Sequence, residues 1–129
     1  MSDRPARSPR TLDQVLWSVS DTLYPESLGQ KPVDLNSRSP DGDTPLHVLA
    51  WRNDTEGAAI LITAGADVNA MGDMGETPLH IAVRRRNTAL LDLLLQAGGD
   101  PDVRSEFGLT PRDMAVRSGG KIAQVFWNM

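Results

Sequence analysis

The sequence predicts an all-α protein, a solenoid of helix-turn-helix units joined by turns. The tetrapeptide Thr44-Pro45-Leu46-His47 recurs 33 residues later as Thr77-Pro78-Leu79-His80. A degenerate third copy, Thr110-Pro111-Arg112-Asp113, follows after the same interval, and the glycines that precede the copies keep the same step: Gly42, Gly75 and Gly108. A fixed period of this length indicates stacked units, each of which contacts its neighbours, instead of one mixed core.

Each copy contains the signals for two short helices. Thr44 and Thr77 can accept a hydrogen bond from a backbone N–H as helix N-caps, and a proline follows at the first helical position, where its missing N–H costs nothing. The apolar stretches after them predict second helices at about 55–64 and 88–97. Gly65 and Gly98 then end these helices.

A degenerate unit precedes the first copy and predicts a helical N-terminal cap at residues 11–35. Thr11 lies 33 residues before Thr44 and can cap a helix that runs to about Leu23, after which Pro25 prevents a continuous second helix. We expect Trp17 and Tyr24 to pack within this cap. Residues 1–10 combine arginine and proline without an apolar stretch, so we expect a disordered tail and no secretory signal.

The other end of the stack is expected to be sealed by an atypical last repeat. Residues 36–129 then form three repeats, the third of which is the C-terminal cap. Ile122, Val125 and Phe126 are expected to point inward. Trp127 either covers the last repeat or anchors a partner, and we favour covering because an uncovered apolar repeat face is unfavourable.

Composition excludes several classes of function. The chain has 129 residues, no cysteine and a net charge of -4, and the arginines of the tail make the remainder still more acidic. Without a basic patch it is not expected to bind nucleic acid, and no apolar run is long enough to span a membrane. The acidity is compatible with ordinary solubility and also with a partner of basic or mixed-charge surface. We expect a cytoplasmic protein, monomeric when unbound, without cofactor or metal.

The turns that precede each copy complete the pattern and allow a comparison with a known family. Asp34-Leu35-Asn36, Asp67-Val68-Asn69 and Asp100-Pro101-Asp102 occupy the same place in successive units. Together with the Thr-Pro-Leu-His copies, they make the chain resemble the ankyrin repeat family from about Asp34 to Met129. The resemblance implies a β-turn and two antiparallel helices per unit. It also implies that His47 and His80 are structural residues that tie adjacent turns together.

The same resemblance implies a concave surface, made of turn tips and first helices, on which a partner protein lies. Carrying the variable positions of the family onto this sequence gives acidic turn tips, a column of arginines on the first helices and several large apolar residues. These candidate partner-binding residues are Asp41, Asp43, Trp51, Arg52, Asp73, Met74, Glu76, Arg84, Arg85, Glu106, Phe107, Leu109 and Arg117.

Two of these assignments have alternatives in packing. Trp51 could pack against the N-terminal cap, and the arginines could pair with the acidic turn tips instead of a partner. We favour a binding role for Trp51, since exposed tryptophan and arginine contribute much of the energy of interfaces. On that basis Trp51→Ala and Arg84→Glu should weaken partner binding and leave the unfolding midpoint nearly unchanged.

The expected function is that of a non-catalytic module that binds another protein and blocks or positions it. An inhibitor or immunity-type protein of a bacterial toxin or effector is one specialisation. A regulatory subunit or accessory scaffold of an enzyme is an alternative, and a nucleic-acid-associated regulator is disfavoured by the charge. No convergent set of titratable residues indicates an enzyme.

Overall fold

Pairs of antiparallel helices follow one another along the chain. The computed structural model describes residues 10–127, and within that range the backbone forms helices and turns but no β-strand. Consecutive helix pairs pack side by side, which confirms the predicted all-α stack. The helices are α1 (Leu12–Trp17), α2 (Ser20–Leu23), α3 (Pro45–Trp51), α4 (Thr55–Thr63), α5 (Pro78–Arg84), α6 (Thr88–Gln96), α7 (Pro111–Ser118) and α8 (Gly120–Trp127).

The N-terminal segment begins as predicted but does not form one helix. Thr11 and Gln14 cap α1 reciprocally, because the Gln14 N–H donates to the Thr11 hydroxyl at 3.1 Å and the Thr11 N–H donates to Gln14 Oε1 at 2.8 Å. The prediction of a single helix to Leu23 is wrong, since the helix is interrupted between α1 and α2. The Ser18 carbonyl at this break accepts a hydrogen bond from Arg52 at 3.0 Å. A 3₁₀ turn over Pro25–Ser27 follows, where Pro25 was expected to prevent a second helix.

The helices of the repeats begin and end close to the predicted residues. The side chains of Asp54 and Asn87 cap α4 and α6 by accepting a backbone N–H three residues on, at 2.9 and 3.0 Å. The turn that enters each second helix requires a left-handed residue, which is Asn53 at φ 58° and Arg86 at φ 54°. Gly119 takes this place in the third repeat.

One apolar core runs from the N-terminal cap to the last repeat. Val15, Val19 and Leu23 are buried against the first repeat, and α1 packs on α4. Leu61 and Leu94 are fully buried at equivalent positions of the second helices. Each helix pair thus buries its apolar face against the next, as a repeat stack requires.

The third repeat departs from the first two at the tetrapeptide. Asp113 replaces the histidine and still accepts the Thr110 N–H at 3.2 Å, while Arg112 replaces the leucine and pairs with Asp102 at 2.9 Å. Ile122 and Phe126 are buried as expected. The preferred prediction that Trp127 covers the end is wrong, because its side chain is 70% exposed at the position where Leu94 is fully buried.

Two expectations for the N-terminal region also need correction. Arg10 was assigned to the free tail, but its guanidinium contacts Asp54 at 2.6 Å and Glu56 at 2.9 Å, at the N-terminus of α4. Residues 1–9, the rest of the predicted tail, lie outside the described residues. Trp17 was expected to pack inside the cap and is half exposed instead, whereas Tyr24 is half-buried beneath the ammonium group of Lys31.

Candidate functional site: a concave groove

The turns between repeats form three similar loops, here called fingers 1, 2 and 3 (residues 38–43, 71–76 and 104–109). A backbone hydrogen bond closes each finger, from Ser39 N to Asp43 O at 2.8 Å, Gly72 N to Glu76 O at 2.8 Å, and Ser105 N to Leu109 O at 2.9 Å. Because the closing bond lies at the same repeat position each time, the fingers project from the same side of the stack.

The two histidines hold the fingers in register. Nδ1 of His47 accepts the Thr44 N–H at 3.1 Å, so Nε2 carries the proton and donates to the carbonyl oxygen of Glu76, in the next finger, at 2.9 Å. His80 repeats the arrangement with the Thr77 N–H at 3.0 Å and the Leu109 carbonyl at 2.9 Å. Burial lowers the pKa of both imidazoles. The predicted structural role of these residues is confirmed.

Further bonds join the tips of neighbouring fingers. The Asp73 N–H donates to Asp43 Oδ1 at 2.9 Å, and the Glu106 N–H donates to the Met74 carbonyl at 2.9 Å. At the base, Arg38 donates to the Gly42 and Met71 carbonyls at 2.7 and 2.8 Å. The fingers therefore form a connected wall above the first helices, not three independent loops.

A concave groove of about 210 Å³ lies between this wall and helices α3 and α5. Most of its lining consists of residues that the sequence predicted as partner-binding. The lining residues are Asp43, Trp51, Asp73, Met74, Glu76, Ile81, Arg84 and Phe107.

Apolar side chains from three successive repeats surround the groove. Trp51 is 44% exposed at the end of α3, Met74 is 48% exposed on finger 2, and Phe107 is 62% exposed on finger 3. Ile81 is buried behind them. Trp51 is thus not hidden beneath the N-terminal cap, which was the alternative interpretation, and stands instead where a partner could contact it.

The acidic finger residue Glu76 and the arginine Arg84 pair with each other inside the groove. Glu76 is only 6% exposed, and Arg84 donates to both of its carboxylate oxygens, from Nε at 3.0 Å to each and from Nη2 at 2.5 Å to Oε2. These bonds raise the pKa of Arg84. The arginines were expected either to bind a partner or to pair with the acidic turn tips, and Arg84 forms such an intramolecular pair.

The remaining predicted residues lie outside the groove lining. Arg52 turns toward the N-terminal cap, where it donates to the Ser18 carbonyl and to the Thr22 hydroxyl at 2.7 Å. It therefore does not extend an arginine column. Arg117 lines a neighbouring depression with Val83 and Met114, and Arg84 borders both this depression and the groove. Exposed positions outside the lining are occupied by Asp41, Arg85 and Glu106, and Leu109 is half-buried at the end of finger 3.

Two features of the groove escaped the reasoning from sequence. Gly72 must lack a side chain, because a Cβ there would collide with Asp43 Oδ1 and lie 2.8 Å from His47 Nε2. The signal was available, since serine occupies this position in the other two fingers, at Ser39 and Ser105. Met74 adopts a left-handed backbone (φ 60°), a conformation that is unfavourable for residues other than glycine.

The helix pairs, the fingers and the groove define a helical repeat protein that offers a concave surface. A family model described as ankyrin repeats (3 copies) matches residues 21–105 and, in a second placement, residues 51–126. The chain belongs to the ankyrin repeat family. Proteins of this family are generally non-catalytic and typically bind other proteins, so membership indicates a protein-protein interaction module. A search of curated proteins found no match, and no helix among the described residues has the length and apolarity needed to cross a membrane.

Proposed function

We propose that the domain binds a partner protein in the concave groove, with Trp51, Met74 and Phe107 as the main contacts. The observation that carries the proposal is that these three large apolar side chains come from three different repeats and are all about half exposed around one groove. Scattered apolar residues on a surface need no explanation, whereas a group of them around a concavity favours binding.

The charges around the groove favour a partner whose surface is basic or of mixed charge. Asp43 and Asp73 belong to the lining, and Asp41 and Glu106 are exposed on the same fingers. Arg84 does not offset these carboxylates, because Glu76 already neutralises it. Complementary charge of this kind increases association rates and rejects acidic partners.

The mode of action that we propose is occlusion, in which the bound domain covers a functional surface of its partner. The two histidines beside the groove and the Glu76–Arg84 pair within it already serve structural contacts. His47 and His80 are fully buried between fingers, and Glu76 holds Arg84. This use favours a rigid binding surface over acid-base chemistry, and it is compatible with an inhibitor or immunity-type protein.

The proposal is tested by capturing partners from a lysate of the source cells with the wild-type chain, Trp51→Ala and Trp127→Ala. Both variants remove an exposed tryptophan, but only Trp51 lines the groove. We expect a specific partner to be retained by the wild type and Trp127→Ala and lost by Trp51→Ala. Equal retention by all three proteins would show that the groove is not the binding surface, and loss by Trp127→Ala alone would assign the contact to Trp127, the alternative that its exposure leaves open.

The captured partner also decides between occlusion and scaffolding. The activity of the partner is measured while the domain is titrated to saturation. Inhibition that disappears with Trp51→Ala would support occlusion. A complex that keeps full activity would assign the domain to the alternative class of accessory scaffolds.

A further inference from the structure

We infer that the concave groove is a receptor for a single arginine side chain presented by the partner protein. This inference rests on the proposed function, and it names the group that enters the groove.

The size of the groove favours one side chain over a small-molecule ligand. Pockets for drug-sized ligands and cofactors have volumes of about 300–1,000 Å³ and enclose most of the ligand. The groove measures about 210 Å³ and is open along one side. It therefore suits a side chain that enters from a protein surface lying across the fingers.

The charge of the groove selects a cation. Asp43 and Asp73 belong to neighbouring fingers, and the hydrogen bond from the Asp73 N–H to Asp43 Oδ1 fixes their relative position. The absence of a side chain at Gly72 leaves room for the Asp43 carboxylate beside this bond. Because Glu76 neutralises Arg84, the lining keeps an excess of two carboxylates.

The lining is as much aromatic and apolar as it is acidic, and this combination favours arginine over lysine. A guanidinium is planar and more weakly hydrated than an ammonium group, and it stacks on aromatic faces. Trp51 and Phe107 provide such faces, and Met74 offers an apolar surface for the aliphatic part of the side chain. A lysine would lose more hydration here and would use the two carboxylates less well.

The test is an NMR titration of the ¹⁵N-labelled chain with the peptide acetyl-Gly-Gly-Arg-Gly-Gly-amide. Matched peptides carry lysine or citrulline, which is a neutral analogue of arginine, at the central position. Trp17 is 48% exposed, Trp127 is 70% exposed, and neither lines the groove, so their indole N–H signals are internal controls for Trp51. We expect saturable shifts of the Trp51 indole with a dissociation constant in the millimolar range, about ten-fold weaker binding of citrulline, and intermediate binding of lysine.

Two isosteric variants test the carboxylates. Asp43→Asn keeps an acceptor for the Asp73 N–H, and Asp73→Asn keeps the backbone donor, so both variants should fold normally. Each should lower the affinity for the arginine peptide several-fold. Equal shifts with citrulline, equal shifts of all three tryptophans, or no saturable shift at tens of millimolar peptide would overturn the inference. If the arginine peptide fails while Trp51→Ala still loses the partner, the inference falls and the proposed function stands.

Discussion

The pairing of Glu76 with Arg84 leads to a prediction opposite to the one made from sequence. An unpaired arginine on a binding surface could be replaced without loss of stability. Arg84 instead neutralises the Glu76 carboxylate, whose side chain is only 7% exposed. Removing one member of a buried ion pair costs about 3–5 kcal/mol, since the other charge stays desolvated. Arg84 is 39% exposed, so water reaches the pair and lowers this cost. We therefore expect Arg84→Met to reduce the free energy of unfolding by about 2 kcal/mol.

The assay is urea unfolding followed by circular dichroism. A loss of about 2 kcal/mol lowers the urea midpoint by about 1–2 M for a chain of this size. Arg85→Met is the matched control, because Arg85 follows on the same surface, is exposed and makes no ion pair among residues 10–127, and it should change stability by less than about 0.5 kcal/mol. Arg84→Glu should be worse than Arg84→Met, since it sets two carboxylates against each other.

A double-mutant cycle separates pairing from other effects. Glu76→Gln removes the charge of Glu76, and the coupling between Glu76→Gln and Arg84→Met should reach about 1–2 kcal/mol. A coupling below about 0.5 kcal/mol, with Arg84→Met as harmless as Arg85→Met, would refute the reasoning and return Arg84 to the candidates for partner binding.

Three further predictions concern stability. Burial lowers the pKa of His47 and His80, so the unfolded chain binds protons more tightly than the folded one. The free energy of unfolding should therefore decrease as pH falls below about 6.5. Urea midpoints that stay constant between pH 7.5 and 5, after correction for the carboxylates, would contradict this prediction. Arg86→Gly should raise the free energy of unfolding by about 0.5–1 kcal/mol, because glycine adopts the left-handed backbone without strain. Asn53→Gly should raise it by less, since asparagine tolerates this conformation. Equal increases in the two variants would argue against strain at Arg86. Arg10→Ala should cost about 1 kcal/mol at low ionic strength and much less in 0.5 M salt, and a loss insensitive to salt would mean that Arg10 acts through packing and not through Asp54 and Glu56.

Much of the fold could be predicted because its signals are local. A threonine before a proline caps a helix wherever it stands, and a glycine that follows an apolar helix ends it. The period then places each helix pair on the next, so the 33-residue repeat was sufficient to predict the stack. The break between α1 and α2 was missed, and its Ser18 carbonyl is bonded by Arg52, a residue of the first repeat that is distant in sequence.

The candidate site was predicted less completely, and the reason is visible in one pair of repeat positions. The residues at the end of each finger and eight positions later are Asp43 and Trp51, then Glu76 and Arg84, then Leu109 and Arg117. Opposite charges meet only in the second of these pairs, which forms the ion pair. Comparing the two columns would have suggested that Glu76 and Arg84 neutralise each other.

The sequence by itself determined the repeat period, the capped helices, the linking histidines and the family, because these depend on residues close in the chain or repeated at a fixed interval. Only the tertiary structure decided which variable residues are free. It joined Glu76 to Arg84, turned Arg52 to the N-terminal cap, left Trp127 exposed and brought Trp51, Met74 and Phe107 around one groove. The physical reason is that a side chain's exposure and charge balance are set by neighbours in adjacent repeats, and those neighbours differ from one copy to the next.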